Sequence, residues 1–288
     1  MSLSTSLPEN LPWGEQQVFV LLDGATLSDL PSRIKRLNRA ALTLPLYDQP
    51  PFSALRDVSP LLVAVEQPDD AVMQFFMQHA PMECGVLLFS PAQPHVVAEH
   101  LRKLLTVELS EGLSVLLRLA DAAVMRALLA SADQSLFGPM SWVVTADCVN
   151  TVWHSHRPRH PECPALPAPY RLSPEQIAAL DQVDHRRTLL ELDAHLLSHF
   201  PQRHPGDSLA QRWARLEQLE AQASALGLQG QSELFYYANV VAWLEDDDLD
   251  RHPHIRHLLH TPSLQSPGER VALAAALAHQ WASERGLS

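Results

Sequence analysis

The first half of the chain alternates short apolar runs with segments whose apolar residues recur at helical spacing. The runs at 18–22, 61–65 and 85–89 predict buried strands, because they are too short for helices and turn residues such as Asp23-Gly24 bound them. Helices are predicted over 27–40 and 96–105, and from Asp70 to about Ala80. This alternation predicts an α/β lobe around a mixed sheet.

The pattern continues to about residue 155. Residues 107–109 and 113–119 predict a hairpin that turns at Glu111-Gly112. A helix is expected from Asp121 to about Ala130. Apolar runs at 141–145 and 149–153 predict two closing strands.

The composition changes after His156. The segment 157–170 holds five prolines and cannot sustain a helix or a central strand, so we interpret it as an extended linker. Helical patterns follow it, and two of them open with capping boxes, Ser173-Pro-Glu-Gln176 and Ser266-Pro-Gly-Glu269. The other helices are predicted over 208–226 and 231–244.

The predicted fold class is therefore α+β. It combines an N-terminal α/β lobe with a mixed sheet (1–155), a Pro-rich linker (156–172) and a C-terminal all-α lobe (173–288).

Composition narrows the possible partners. The chain has 21 basic and 33 acidic residues, a net charge of −12, so a nucleic acid or an anionic membrane is not expected as a partner. The start of the chain lacks the features of a secretory signal, and no apolar run is long enough to span a membrane. Three widely spaced cysteines are typical of a reduced, cytoplasmic protein.

Histidines are the main candidates for hidden chemistry. His195 and His199 have the i, i+4 spacing of a zinc peptidase, but Leu196 stands where its catalytic Glu is needed. Two other groups could bind a metal or lie in solvated segments. They are His154, His156 and His160 with Cys163, and the acids 245–250 with the histidines 252–260.

Sequence signatures of nucleotide binding and of nucleophilic hydrolysis are absent from the chain. We therefore expect no cofactor, no metal, no catalytic residue and no enzyme activity. The alternative is a metal-dependent hydrolase that uses the His- and Asp-rich C-terminal half.

Two pairs of side chains are candidate partner contacts. Met73 and Met77 lie at i, i+4 on one helix, and methionine pairs suit adaptable binding surfaces. Tyr236 and Trp243 lie on a helix that is apolar all round, and both are residue types common in interface hot spots. Burial in a core is the alternative for each pair.

The order of motifs in the first half resembles the type VI secretion adaptors, also called effector chaperones. The family begins with a strand that ends in Leu-Leu-Asp-Gly-Ala, and it closes with an Arg, an aromatic pair and Asp-Pro at a helix start. Here Leu119-Ala120 replaces the aromatic pair and Ala122 replaces the Pro. The matching segments are Val20-Leu21-Leu22-Asp23-Gly24-Ala25, 55–65 with Pro60, Val86-Leu87-Leu88-Phe89-Ser90, His100-Leu101-Arg102-Lys103-Leu104-Leu105, and Arg118 with Asp121.

The resemblance implies a cytoplasmic chaperone that binds one toxic effector and helps load it onto the VgrG spike without being secreted. Arg118 and Asp121 then have two interpretations. They are partner contacts, or Asp121 caps a helix while Arg118 pairs with a carboxylate or a carbonyl.

Overall fold

The computed structural model describes residues 7–109, 112–244 and 249–285. The chain divides into two compact units, Met1–Asp184 and His185–Ser288. The predicted α+β class is confirmed, since the sheet lies in the first half and the second half is mostly helical. The predicted boundaries at 155 and 172 remain a prediction.

The N-terminal unit is built on a six-stranded sheet and a separate two-stranded hairpin. The sheet has the order β2-β3-β1-β4-β7-β8, and β5 pairs with β6 in the hairpin. The strands are β1 (Gln17–Leu22), β2 (Thr43–Pro45), β3 (Leu61–Val65), β4 (Gly85–Ser90), β5 (Thr106–Glu108), β6 (Ser114–Leu116), β7 (Trp142–Asp147) and β8 (Val152–His156).

Every pairing between neighbouring strands of the described sheet is antiparallel. The sheet is therefore antiparallel rather than mixed as expected, because β1 lies between β3 and β4 and runs opposite to both. The central strand β1 pairs with β3 on one side and β4 on the other, with Val20 opposite both Val63 and Leu87. The hairpin is also confirmed, although Glu111 of its predicted turn lies outside the described residues.

Helices cover both faces of this sheet. They are α1 (Leu30–Leu37), α2 (Ala71–His79), α3 (Pro94–Lys103) and α4 (Ala122–Leu129). Phe19 and Leu21 of β1 share a buried cluster with residues of α3 and α4, whereas Val18, Val20 and Leu22 share another with residues of α1 and α2. Strand side chains alternate between faces, so burial on both sides requires an apolar residue at almost every position.

Two features of this unit differ from the expectation. The edge strand β2 was not predicted, because it is three residues long and includes a proline. Helix α1 begins at Leu30 rather than Leu27, because a turn precedes it. The Asp23 carboxylate accepts hydrogen bonds from the Ala25 N–H at 3.0 Å and the Thr26 hydroxyl at 2.7 Å, which closes that turn.

The Pro-rich segment packs on the N-terminal unit as it approaches its end. Tyr170 and Leu172 are buried in the same cluster as α3 and α4. The Glu108 N–H donates to the Tyr170 carbonyl at 2.8 Å, and the Leu172 N–H donates to the Glu108 carbonyl at 2.9 Å. Arg171 thus forms an isolated parallel bridge with Glu108 of β5, and we call residues 157–172 the strap.

Tyr170 anchors the strap through its hydroxyl group. The hydroxyl donates to Asp133 Oδ2 at 2.8 Å and accepts from Gln176 Nε2 at 2.7 Å. Burial, together with the neighbouring Asp133, raises the pKa of Tyr170 to about 12, so the phenol stays protonated and keeps donating at neutral pH.

The second half of the chain is helical, and three of its helices begin with a capping box, two of them at the predicted residues Ser173 and Ser266. Ser173 and Gln176 exchange the two bonds of a capping box, at 2.9 and 3.2 Å. Ser208 and Ser266 cap their helices in the same way. The helices are α5 (Pro174–His199), α6 (Leu209–Ala225), α7 (Gln231–Leu244), α8 (Pro253–His260) and α9 (Pro267–Glu284).

Helix α8 replaces the solvated charged loop expected around residues 252–260. Ile255 and Leu259 lie one helical turn apart, and both are buried, so an apolar pair fixes this short helix among its histidines. The acidic residues 245–248 that precede it lie outside the described residues.

A buried ionic cluster ties α5 to α6. Arg212 donates from Nε and Nη2 to the two carboxylate oxygens of Asp193, at 2.6 and 2.7 Å. His204 lies 2.7 Å from Asp193 through Nε2. Burial raises the pKa of Asp193, but the hydrogen bonds from Arg212 and His204 outweigh it and hold that pKa below its usual value.

Replacing the strap's anchor should destabilise the N-terminal unit. Tyr170→Ala removes a side chain that is 2% exposed, and we expect a loss of about 3 to 5 kcal/mol in the free energy of unfolding. Tyr236→Ala is the matched control, because Tyr236 is 42% exposed, and its loss should be about 0.5 kcal/mol or less. Urea unfolding followed by circular dichroism measures both. Equal losses of unfolding free energy in the two variants would show that Tyr170 does not anchor the strap.

Breaking the buried ionic cluster should destabilise the C-terminal unit. Arg212→Leu leaves the Asp193 carboxylate buried without its cation, and we expect a loss of about 3 kcal/mol or more. Arg256→Leu breaks an exposed pair with Asp250 and should cost about 1 kcal/mol at most. Chemical denaturation of both variants tests the difference, and a loss for Arg212→Leu as small as the control's would contradict it.

Candidate functional site

The first, second and last family motifs meet at one end of the sheet, while Ser90 of the third motif lies at the other end, opposite Gln17. Strands β1 and β7 end where these three motifs meet, after Leu22 and Asp147, and the antiparallel strands β3 and β4 begin there, at Leu61 and Gly85. We call this the motif end of the sheet. Sequence reasoning found the motifs separately, but it could not show that three of them meet, because that follows from strand order.

An ion pair between Asp23 and Arg118 lies at the centre of the motif end. Arg118 Nη2 lies 2.5 Å from Asp23 Oδ2 and 3.2 Å from the Thr26 hydroxyl oxygen. The Asp23 side chain is 6% exposed and the Arg118 side chain 42% exposed. The sequence reading that Arg118 pairs with a carboxylate is therefore correct, and its partner is 95 residues away in the chain.

The pair influences the protonation of its neighbours. Partial burial lowers the pKa of Arg118, but the hydrogen bond and charge of Asp23 raise it overall, so the guanidinium remains charged. Burial, and then the charge of Asp23, raises the pKa of Tyr47 and that of Cys84, the latter to about 11. Tyr47 and Cys84 are therefore neutral at physiological pH, and Cys84 is not a reactive thiolate.

Gly24 is required by close packing at the motif end. A Cβ atom at this position would lie 2.3 Å from the Ser59 carbonyl oxygen and 3.0 Å from the Val58 carbonyl carbon. The turn after β1 therefore contacts the 3₁₀ segment Ser53–Val58 directly. This contact explains why the motif has a glycine after its aspartate.

Asp121 caps helix α4, as one of its two sequence interpretations proposed. Its Oδ1 accepts hydrogen bonds from the Ala123 N–H at 2.9 Å and the Val124 N–H at 3.2 Å. The Ala122 N–H donates to the Glu83 carbonyl at 2.9 Å, which ties the start of α4 to the start of β4. Glu83 also accepts a bond from the Cys148 N–H at 2.6 Å.

The residues that replace the family's aromatic pair point into the core. Leu119 is 0% exposed and Ala120 is 1% exposed. The departure from the family pattern is therefore a difference in packing beneath Arg118, while the ion pair and the cap on either side are kept.

His100 and Arg102 of the fourth motif have structural roles. His100 is buried, and its Nε2 lies 2.8 Å from the Leu136 carbonyl oxygen, while burial lowers its pKa. Arg102 donates to the Pro45 carbonyl at 2.8 Å and pairs with Asp48 at 3.0 Å. This arginine holds the end of strand β2 against α3.

The methionine pair on α2 is mostly enclosed. Met73 is 1% exposed in the core on the α1 and α2 face of the sheet, and Met77 is half-buried against the same cluster. This burial favours the core interpretation for Met73. A partner contact at Met77 remains a prediction.

Tyr236 and Trp243 differ in their surroundings within the C-terminal unit. Tyr236 is 42% exposed, whereas the ring of Trp243 lies 4.8 Å from that of Phe200 and 4.9 Å from that of His279. Trp243 therefore bridges α9 and the end of α5. Tyr236 is the more accessible candidate for a partner contact, and that role remains a prediction.

The two histidines with peptidase-like spacing contact aromatic and amide groups. His195 Nε2 lies 2.7 Å from Asn239 Oδ1, and its ring contacts those of His199 and Phe235. Among the described residues, no three His, Cys, Asp or Glu side chains converge as metal ligands. The geometry of these residues gives no support to the alternative of a metal-dependent hydrolase.

Removing Arg118 should destabilise the N-terminal unit through Asp23. Arg118→Leu leaves the buried Asp23 carboxylate without its cation, so stability should fall by about 1 to 3 kcal/mol. The double variant Asp23→Asn with Arg118→Leu removes the unpaired charge and should lose less than the two single changes added together. Urea unfolding of the four proteins measures this coupling, and strict additivity would contradict the role of the ion pair.

Known proteins match this chain over the region that contains these motifs. Residues 18–136 match the family model described as a domain of unknown function, DUF4123. The chain is 30% identical over 274 residues to the accessory protein VasW of Vibrio cholerae serotype O1. The aligned region covers 92% of this chain and 89% of that protein. No solved structure matches the chain.

The matched region and the motif end coincide. The family model begins at the first residue of the β1 apolar run and extends past Arg118 and Asp121 to the end of α4 and beyond. Within the described ranges, none of the helices combines the length and apolar character that a bilayer span requires. The chain therefore belongs to the type VI secretion accessory family whose members carry the DUF4123 domain, the family that its N-terminal motifs resemble.

Proposed function

We propose that this protein is a cytoplasmic adaptor that binds a specific toxic effector of the type VI system and helps load it onto the VgrG spike. It is neither secreted nor an enzyme. The observation that supports this most is the extent of the likeness to an accessory protein, which reaches 92% of the chain and so includes both compact units. A shared N-terminal domain alone would not give such coverage.

The motif residues suit a binding protein rather than a catalyst. Asp23 and Arg118 form an ion pair, and Asp121 caps helix α4. Burial keeps the Cys84 thiol neutral. A nucleophile or general base requires a group poised to exchange a proton or attack a substrate. The polar groups at the motif end instead fix the geometry of a surface.

The proposed mechanism is chaperoning by burial. An effector segment that is apolar or unstable alone is covered by the adaptor, and binding stabilises the effector by mass action. At a free adaptor concentration of 100 times Kd, this stabilisation is about 2.7 kcal/mol. Docking of the effector on VgrG then releases the adaptor, so the adaptor remains in the cytoplasm.

Co-expression with an effector tests the proposal. The toxin encoded beside this chain in its genome should gain soluble yield several-fold when the adaptor is present, and the two should co-purify. A toxin from an unrelated type VI cluster is the control and should gain nothing. Addition of the cognate VgrG should yield a toxin–VgrG complex with less adaptor. Unchanged yield and no co-purification would refute the proposal.

A further inference from the structure

Four exposed apolar side chains surround the motif end of the sheet. Leu55 is 45% exposed, Val58 41%, Met82 56% and Val152 40%. Leu55 and Val58 are three residues apart in the segment Ser53–Val58, whose backbone departs from helical geometry at Leu55. The Ser53–Val58 segment has no buried residue, so its apolar side chains do not serve the core.

Backbone contacts place these side chains at the same end of the sheet. Val58 lies against Gly24, which follows β1. Met82 lies two residues before Cys84, whose carbonyl accepts from the Asp23 N–H at 2.9 Å. Val152 is paired with Asp147 in the register of β7 and β8. Strand ends that are neighbours in the sheet thus bring together residues from three distant parts of the sequence.

Arg118 adds a positive charge at the same end of the sheet as these apolar side chains. A guanidinium carries five N–H donors on three nitrogens. Within the described part of the chain, its hydrogen bonds, to Asp23 and Thr26, both come from Nη2. Its side chain is 42% exposed, so donors of a fixed cation remain accessible beside apolar groups.

We propose that Leu55, Val58, Met82, Val152 and Arg118 form a docking surface for a segment of the effector in which a carboxylate lies between apolar side chains. This inference rests on the proposed function, because the effector is the partner. Charge complementarity selects the carboxylate, since arginine binds carboxylates through paired N–H donors. The apolar residues of the segment cover the four exposed side chains, and arginine beside apolar groups is typical of interface hot spots.

The surface also favours an effector segment over a second copy of the chain. Each copy carries a net charge of −12, so two copies repel one another at long range. An effector segment needs only one carboxylate for Arg118.

Peptide selection on the full-length protein tests the chemistry of the ligand without an effector. A random 12-residue library displayed on phage is panned against the wild-type protein. Selected peptides should share an Asp or Glu flanked by apolar residues, and they should bind Leu55→Glu at least about tenfold more weakly than the wild type. Peptides that lack a carboxylate, or that bind this variant as well as the wild type, would overturn the proposal.

Charge-paired variants separate electrostatics from lost apolar contact. Leu55→Lys and Leu55→Glu remove the same exposed side chain and should fold equally well, but the lysine variant should bind the peptides more tightly than the glutamate variant. Leu42→Lys and Leu42→Glu are the controls. Leu42 is 48% exposed and lies near the opposite end of β3, where its carbonyl accepts from the Ala64 N–H. Equal binding by the two Leu55 variants would contradict the prediction that the ligand carries a carboxylate.

The same variants separate this surface from the proposed function. If the effector co-purifies with the wild type and with both Leu42 variants but not with Leu55→Glu, the surface is the docking site. If it co-purifies equally with all of them, the adaptor function holds and this surface assignment is wrong. Light scattering tests whether a second copy occupies the surface. A wild-type dimer that becomes a monomer in Leu55→Glu would show this, and that result would also overturn the proposal.

Discussion

The burial of the four inner strands β3, β1, β4 and β7 on both faces is the constraint from which the rest of the N-terminal unit follows. Helices α1 and α2 cover one face, and α3 and α4 cover the other, so these inner strands have almost no place for a polar side chain. Their polar and charged residues therefore lie mainly where the strands begin and end. The motifs of the family are found at those positions for this physical reason.

The ion pair of Asp23 and Arg118 gives the motif end its stability and its accessible charge at once. Asp23 is buried and closes the turn after β1, while Arg118 neutralises it from a position that is open to solvent. The same guanidinium therefore supports the fold on one side and is available to a partner on the other. A structural role for the motif and a role in binding are not alternatives here.

The sequence was most informative where local chemistry determines the structure. The strands at 61–65 and 85–89 and the helix Gln231–Leu244 agree closely with the prediction, because apolar runs and capping signals act over a few residues. Helix α8 was missed, because only Ile255 and Leu259 distinguish it from a charged loop. The short strand β2 was missed because its proline argues against a strand.

The candidate site could be predicted only in part. Sequence reasoning identified Arg118 and Asp121, and it included the capping role of Asp121, which depends on the next three residues. It could not name Asp23 as the partner of Arg118, because 95 residues separate them and only the strand order brings them together. The exposed side chains of Leu55, Val58, Met82 and Val152 carried no signal, since an isolated apolar residue is ordinary on any protein surface.

The contact of Gly24 with Ser59 has a consequence for interpreting natural variants and genetic screens. Gly24 is buried and no partner can touch it, yet any larger residue there must displace the backbone that carries Val58. A missense allele at this glycine would therefore mimic an allele of the exposed surface in its phenotype. Suppressor mutations would then be expected in the 53–58 segment rather than in the partner, which distinguishes the two kinds of allele.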